Sequence, residues 1–253
     1  MSSKPNMSPL IAESAAVVLI GNELLSGKVH EANLVELAKT LRVLGIGLRR
    51  VVMIPDELDL IAKEVAHESG SHDLVFTSGG VGPTHDDVTI NGVAKAFGVQ
   101  ARIDESMAAM LRTAYGERCT DHHLRMALIP DGATLATTEE DRWPVVVMRN
   151  VWVLPGVPQI FRMKLGVVRA WVRGPAAFHS RAVLTRLDEG KLKPLLDGIV
   201  AAHPGVDVGS YPKWFDAAYK TKITFDSRDT VQVEEALAAF VALLDPGDVA
   251  GVE

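Results

Sequence analysis

The sequence predicts an α/β fold with a mostly parallel sheet covered by helices on both faces, followed by a small α+β unit. Three observations support it. Strand-like and helix-like patterns alternate through the first hundred residues, a Gly-rich turn follows the third strand, and the pattern changes near residues 174–175. Such alternation is typical of parallel strands joined by helices that pack on both faces of the sheet.

The elements of the first unit follow from the spacing of apolar residues. Residues 15–20 are apolar without alternation, as in a strand that is buried on both faces. Leucines at helical spacing predict a helix over residues 31–44 that ends at Gly45. Asp56 is well placed as the N-cap of the next helix. The other predicted elements are strands at 48–54, 74–77, 145–148 and 151–154, and helices at 58–65, 90–97 and within 104–129.

The domain boundary is predicted near residue 174. Residues 14–174 form the main domain and residues 175–253 form a small α+β domain, an arrangement for which 253 residues suffice. The small domain has predicted strands at 181–187, 206–211 and 219–225 and predicted helices at 192–202 and 231–244.

Composition narrows the function classes. A net charge of −6 and a pI of about 5.8 argue against binding to nucleic acid, which requires a basic surface. The single cysteine, Cys119, excludes an internal disulfide and is typical of a reducing cytosol. The apolar run at 15–20 is too short to span a membrane, and residues 1–13 are expected to be a flexible lead. We therefore expect a cytoplasmic protein with neither nucleic-acid nor membrane partners.

The candidate functional residues lie in three loops that each follow a predicted strand. These loops are Gly21-Asn22-Glu23, Pro55-Asp56 and the turn GGVGPTHDD at residues 79–87. Ligands of open parallel sheets bind beyond the carboxyl ends of the strands. Because parallel strands end at one edge of the sheet, we expect the three loops to meet there, together with the corner LPGVP at residues 154–158.

The glycine turn at residues 79–87 has two interpretations. Its backbone N–H groups can face a phosphate at the start of the following helix. Alternatively, the glycines only supply positive φ angles in a tight turn. The turn matches neither the Walker pattern nor the dinucleotide-binding pattern of glycines.

Asp86 and Asp87 favour the phosphate interpretation. Carboxylates beside a phosphate-binding turn repel the ligand unless a cation bridges them, and Mg²⁺ binds one or two carboxylates together with phosphate oxygens. The alternative is that Asp86, Asp87 or Thr89 caps the next helix. Asp56 and Glu23 on the neighbouring loops bring the number of acids to four, more than a cap requires, and this favours a metal–phosphate site.

Several motifs together resemble a known family. They are GNELLSG at residues 21–27, Asn33, PDE at 55–57, SGGVGPTHDDVT at 78–89 and LPGVP at 154–158. In this order they resemble the molybdopterin-binding-domain superfamily, and most of all CinA (competence/damage-inducible protein A) and the molybdopterin-binding-like domain of FAD synthases. The match extends over residues 14–165, and residues 180–245 resemble the small second subdomain of CinA.

The resemblance implies a three-layer α/β/α domain and a site for a nucleotide or pterin substrate. Related molybdopterin adenylyltransferases use two aspartates, which correspond to Asp56 and Asp87. CinA-type domains resemble pyrophosphatases that cleave ADP-ribose or FAD with a divalent metal such as Mg²⁺. The expected metal ligands are Asp56, Asp87 and Glu23. The expected phosphate- or substrate-binding residues are Gly21, Asn22, Glu23, Asn33, Ser78, Gly79, Gly80, Gly82, Pro83, Thr84, Asp86, Pro155 and Gly156.

The chain also departs from the family pattern. Many relatives have a glutamate where this chain has Asn91, and the segment at residues 138–144 lacks the usual Gly-rich loop. The chain ends at Glu253 without the amidohydrolase domain of full-length CinA, so deamidation of NMN is not expected. The alternatives to a pyrophosphatase are an adenylyltransferase of molybdenum cofactor biosynthesis and a non-catalytic molybdopterin- or nucleotide-binding protein. Relatives form dimers or trimers, and we expect a homo-oligomer.

Overall fold

The computed structural model describes residues 9–214 and 218–253, which divide into two compact units at residue 175. The predicted boundary at residue 174 differs from this division by one residue. The first unit contains β1 (Leu10–Ile11), β2 (Ser14–Ile20), α1 (Asn22–Leu25), α2 (Asn33–Val43), β3 (Gly47–Ile54), α3 (Leu58–Ser71), β4 (Leu74–Ser78), α4 (Thr89–Ala96), β5 (Ala101–Ile103), α5 (Glu105–Tyr115), α6 (Asp121–Leu124), β6 (Leu128–Pro130), β7 (Thr134–Ala136), β8 (Val145–Met148), β9 (Val151–Leu154), α7 (Pro158–Trp171) and β10 (Val172–Arg173).

The central sheet has six strands in the order β3-β2-β4-β9-β8-β7. The first four run parallel, whereas β8 is antiparallel to both of its neighbours. The reversal occurs at Arg149, whose φ angle of 54° turns the chain between β9 and β8. The mostly parallel sheet that the sequence predicts is therefore confirmed.

Apolar side chains cover both faces of this sheet. On β2, Val17 and Leu19 contribute to a cluster with α2 and α7, and Val18 and Ile20 contribute to a second cluster with α3, α4 and α5. All four side chains are at most 1% exposed, as expected of a strand covered on both faces. The unit is a three-layer α/β/α domain, as the resemblance implies.

Three local predictions are wrong. The flexible lead predicted for residues 1–13 lies in part outside the described residues, but residues 10–11 form β1, which pairs with β10. Most of residues 116–129 form only short helical turns and β6. Asp56 does not cap α3, because Glu57 is the N-cap residue and no side chain caps that helix. Asp56 instead binds the backbone of the first loop, as described below.

The second unit, residues 176–253, is a four-stranded antiparallel sheet with two helices. Its elements are β11 (His179–Thr185), α8 (Glu189–Ala202), β12 (Asp207–Pro212), β13 (Thr221–Ser227), α9 (Thr230–Val241) and β14 (Val249–Val252). The strand order is β12-β13-β11-β14. Phe225 and Phe240 are fully buried and their ring centroids lie 5.5 Å apart, so β13 and α9 share one core. The sequence did not predict β14.

Candidate functional site

The loops with the candidate residues lie at the carboxyl edge of the sheet. Four parallel strands end level there, because Ile20 pairs with Ile54, and Ser78 pairs with both Leu19 and Leu154. The loop backbones continue this contact: Gly21 N–H donates to the Ile54 carbonyl (3.1 Å). The first loop therefore begins directly beside the strand end that leads into Asp56.

The glycine turn is built on backbone conformations that other residues rarely adopt. Gly79 and Gly80 have φ angles of 107° and 65°. A Cβ atom at Gly79 would lie 2.1 Å from the Ile20 carbonyl oxygen, and one at Gly80 would lie 2.3 Å from Thr89 Oγ1. Thr89 anchors the turn, since its hydroxyl donates to the Gly79 carbonyl (2.8 Å) and its N–H donates to the Gly80 carbonyl (3.0 Å). The fold therefore requires both glycines, whether or not a ligand binds.

The Gly79 N–H is already used within the sheet edge, because it donates to the Leu154 carbonyl at 3.3 Å. That interaction removes one of the three glycine N–H groups predicted to face a phosphate. The hydrogen bonds of the described residues involve the N–H of neither Gly80 nor Gly82. These two groups are the remaining candidates for an anion contact in the turn.

Asp86 and Asp87 organise the turn instead of capping α4. Asp87 Oδ2 accepts from Thr84 N–H (2.8 Å) and lies 2.5 Å from Thr84 Oγ1, which also contacts Asp86 Oδ1. Helix α4 begins after Val88 without a side-chain cap. The helix-cap alternative is therefore wrong, and the Thr84 hydroxyl is engaged by carboxylates. His85, between Thr84 and Asp86 in the sequence, has a side chain that is 97% exposed.

Asp56 lies at the centre of the negative charge. Its Oδ2 accepts from Asn22 N–H (2.8 Å), and Gly80 lies beside its other carboxylate oxygen. Burial raises the pKa of Asp56 above its ordinary value, the Asn22 hydrogen bond opposes that shift, and the charges of Glu23, Asp86 and Asp87 raise the pKa further. The three predicted loops therefore bring all four acids within electrostatic reach of one another.

The arrangement fits a cation that needs few protein ligands. Within residues 9–214 and 218–253, no three His, Cys, Asp or Glu side chains converge as a ready metal cage. The predicted three-residue ligand set of Asp56, Asp87 and Glu23 is therefore not assembled. Mg²⁺ binds through one or two carboxylates and completes its shell with water and phosphate, and Asp56 and Asp87 satisfy that requirement. No Lys or Arg in the described chain forms a salt bridge with either aspartate.

A hydrogen-bonded cluster at the carboxyl edge of the sheet consists of Asn33, Ser78, Pro155 and Gly156. Asn33 is the first residue of α2 and is 5% exposed. Its Nδ2 donates to Ser78 Oγ (3.1 Å) and to the Gly156 carbonyl (2.8 Å), and Ser78 Oγ lies 3.4 Å from the Pro155 carbonyl. Gly156 packs against Gly79, because a Cβ atom there would lie 3.2 Å from Gly79 Cα. This hydrogen-bonded cluster connects α2, β4 and the β9–α7 corner.

A cleft of about 80 Å³ lies beside this hydrogen-bonded cluster. Predicted residues line it, among them Glu23, Asn33, Ser78, Gly79 and Gly156. The sequence did not predict Val29, His30 and Glu31, which also line it. Glu31 carries a recognisable signal, since it precedes α2 and accepts from Asn33 N–H (2.8 Å) and Leu34 N–H (3.0 Å). The sequence carries no comparable signal for His30.

The structure shows contacts next to both departures from the family pattern. Gly92, which follows Asn91, permits close packing of α4 on α3, because a Cβ atom there would lie 2.4 Å from Ile61 Cγ2. The segment at residues 138–144 is held by Lys164, whose ammonium group lies 2.7 Å from both Asp141 carboxylate oxygens and from the Trp143 carbonyl.

Comparison with known proteins agrees with this geometry. Residues 16–170 match the family described as "Probable molybdopterin binding domain" and residues 177–253 match "FAD synthase, middle domain". The first match covers more than half of the chain, so the chain belongs to the molybdopterin-binding-domain family. Within it the protein is CinA-like: CinA of Thermoplasma acidophilum, described as of unknown function, is 34% identical, with a TM-score of 0.57 over 63% of this chain and 97% of that one.

Two relatives cover more of the sequence. A protein of Archaeoglobus fulgidus is 30% identical over 231 residues, which are 90% of this chain and 97% of that protein. A probable FAD synthase of Caenorhabditis briggsae is 29% identical over 267 residues, covering 94% of this chain and 51% of that protein. The chain therefore spans about half the length of that enzyme. Among the described residues, no helix is long and apolar enough to cross a membrane.

Proposed function

We propose that this protein is a metal-dependent nucleotide pyrophosphatase that cleaves the diphosphate of an ADP-linked substrate such as ADP-ribose or FAD. The observation that carries the proposal is the environment of Asp56. This carboxylate is partly buried among three other acids, and no Lys or Arg of the described residues pairs with it. A divalent cation bound with a diphosphate offsets such a concentration of negative charge.

Backbone N–H groups would bind the phosphate, and carboxylates would bind the metal. The N–H groups of Gly80 and Gly82 would bind the phosphate, since the Gly79 N–H is engaged by Leu154. Asp56 and Asp87 are the residues that would hold a divalent metal. Such a metal neutralises charge on the phosphoryl oxygens and lowers the pKa of water when it is bound.

In the proposed reaction, water attacks one phosphorus atom and the bridging P–O bond breaks. The products are AMP and ribose 5-phosphate from ADP-ribose, or AMP and FMN from FAD. Asp56 or Asp87 would orient the attacking water, since both carboxylates belong to the loops at this edge of the sheet.

The comparisons support a role related to nucleotides. The family match of residues 177–253 and the C. briggsae relative both carry the name FAD synthase, an enzyme whose product is a flavin–adenine dinucleotide. Both names are consistent with a pocket for a dinucleotide or one of its halves.

The test is an assay of metal-stripped protein with ADP-ribose or FAD, with and without Mg²⁺, Mn²⁺ or Co²⁺, in which AMP is detected by chromatography. We expect AMP only with metal, and a loss of at least about 100-fold in Asp87→Asn, which keeps an acceptor oxygen for Thr84 but removes the charge. Asp59→Asn is the matched control, because Asp59 is an exposed α3 carboxylate paired with Lys95.

Full activity of Asp87→Asn would refute the assignment. Absence of AMP from both substrates with every metal would also refute it. In that case an assay with ATP and a pterin acceptor separates the two alternatives, an adenylyltransferase and a non-catalytic molybdopterin- or nucleotide-binding protein.

A further inference from the structure

The segment between α1 and α2 carries an imidazole that lines the cleft of about 80 Å³. The N–H groups of Lys28 and Val29 donate to the Glu23 carbonyl (3.0 and 3.2 Å), which fixes the segment before His30. The Glu31 carboxylate accepts from two N–H groups at the start of α2, which fixes the segment after it. His30 is exposed, and no described residue forms a hydrogen bond or salt bridge with its imidazole. Both ring nitrogens are therefore accessible to a ligand in the cleft.

His30 has the only basic side chain among the described residues that line this cleft. The other charged groups there are the carboxylates of Glu23 and Glu31, and neither forms a salt bridge with the imidazole. Imidazoles change charge between pH 5 and 8, whereas exposed carboxylates stay ionised over most of that range. The cleft therefore contains one group that can become positive near neutral pH and bind an anion.

The cleft adjoins the candidate phosphate contacts at Gly79. This glycine lines the cleft together with His30 and directly precedes Gly80, whose N–H is a candidate anion contact. Because the cleft measures only about 80 Å³, the groups that line it lie within reach of one small group of a ligand.

We propose that His30 binds the diphosphate of the nucleotide substrate through its protonated imidazole, next to the N–H groups of the glycine turn. The site residues that the family resemblance implies are acidic or neutral, so they do not supply this positive charge. A charged N–H donor to a phosphate oxygen is stronger than a neutral one. This inference rests on the proposed function for its nucleotide ligand.

The experiment measures the affinity for ADP-ribose by calorimetry with EDTA, at about pH 5.5 and about pH 8. Without metal no turnover is expected, and both phosphates of ADP-ribose are ionised at either pH, so only the protein changes its charge. In the natural protein we expect ADP-ribose to bind roughly 5- to 30-fold more tightly at the lower pH, a charged hydrogen bond weakened by solvent. Adenosine, which lacks phosphate, should bind equally at both pH values.

Three variants assign the pH dependence to a residue. His30→Gln removes the charge, so it should bind ADP-ribose weakly and with equal affinity at both pH values. His30→Lys stays positive throughout and should bind at the higher pH within about threefold of the natural protein at the lower pH. His85→Gln is the matched control, because His85 is another exposed histidine of the candidate loops but does not line the cleft. It should keep the pH dependence of the natural protein. Thermal unfolding verifies that all three variants are folded.

Equal affinity for ADP-ribose at both pH values in the natural protein overturns the proposal. A pH dependence that persists in His30→Gln also overturns it, and assigns the titration to a carboxylate such as Glu23 or Glu31. Loss of the pH dependence in His85→Gln, or failure of ADP-ribose to bind at the lower pH, overturns it too. If binding is as expected but the hydrolysis assay releases no AMP, only the pyrophosphatase activity is refuted. Release of AMP together with pH-independent binding refutes only the role of His30.

Discussion

Substitution of Gly79 by alanine tests the geometry of the glycine turn most directly. Gly79 has a φ angle of 107°, and a Cβ atom there would lie 2.1 Å from the Ile20 carbonyl oxygen. Both atoms are attached to backbone at the ends of neighbouring parallel strands. A flexible side chain therefore cannot relieve the overlap, and the ends of β2 and β4 must move apart.

The expected magnitude has two parts. A non-glycine residue with positive φ costs about 1–2 kcal/mol, and overpacking of a closely packed site costs about 1–3 kcal/mol more. We therefore expect Gly79→Ala to lower the free energy of unfolding of the first unit by roughly 2–5 kcal/mol. Movement of the strand ends also displaces the loops that begin at Gly21 and Gly80, so binding of a phosphate ligand should weaken together with stability.

The assay is urea unfolding followed by tryptophan fluorescence, because three of the four tryptophans, Trp143, Trp152 and Trp171, lie in the first unit. The matched control is Gly166→Ala. Gly166 lies within α7 and a Cβ atom there would meet no atom within 4 Å, so we expect stabilisation by about 0.5–1 kcal/mol. If Gly79→Ala is as stable as the natural protein, the described conformation of the turn is wrong. A loss of equal size in the control would show that alanine destabilises the protein for another reason.

Two further predictions concern buried charge. Burial and neighbouring acids raise the pKa of Asp56, so the folded state disfavours its ionised form and loses stability as the pH rises above the unfolded value of 3.8. Asp56→Asn should thus have a higher free energy of unfolding than the natural protein at pH 7. In urea titrations this difference in stability should shrink as the pH falls towards 3.8. A difference independent of pH would contradict this prediction. Lys164→Met leaves the nearly buried Asp141 carboxylate unpaired and should lower the free energy of unfolding by about 3 kcal/mol. The double variant with Asp141→Leu should recover most of that loss. An unchanged midpoint of urea unfolding for Lys164→Met would contradict the role of this pair.

Much of the first unit can be predicted from the sequence because its signals are local. Continuous apolar runs such as residues 15–20 indicate strands covered on both faces. The turns after the strands contain glycines and acidic residues, which are residue types typical of ligand-binding loops. Parallel topology then places those turns at one edge of the sheet, which the level ends of Ile20, Ile54, Ser78 and Leu154 confirm. Location in the cytoplasm and assembly into a homo-oligomer remain predictions.

The sequence by itself determined the fold class and which loops form the candidate site, because hydrophobic periodicity and parallel connections follow from short stretches of chain. Only the tertiary structure decided what each side chain does there. Asp56 could cap α3 but binds Asn22 N–H across the edge, Asp87 holds Thr84, and Asn33 keeps its oxygen without a partner. These roles depend on contacts between residues up to 123 positions apart, and local patterns carry no information about which distant backbone group reaches a given donor or acceptor first.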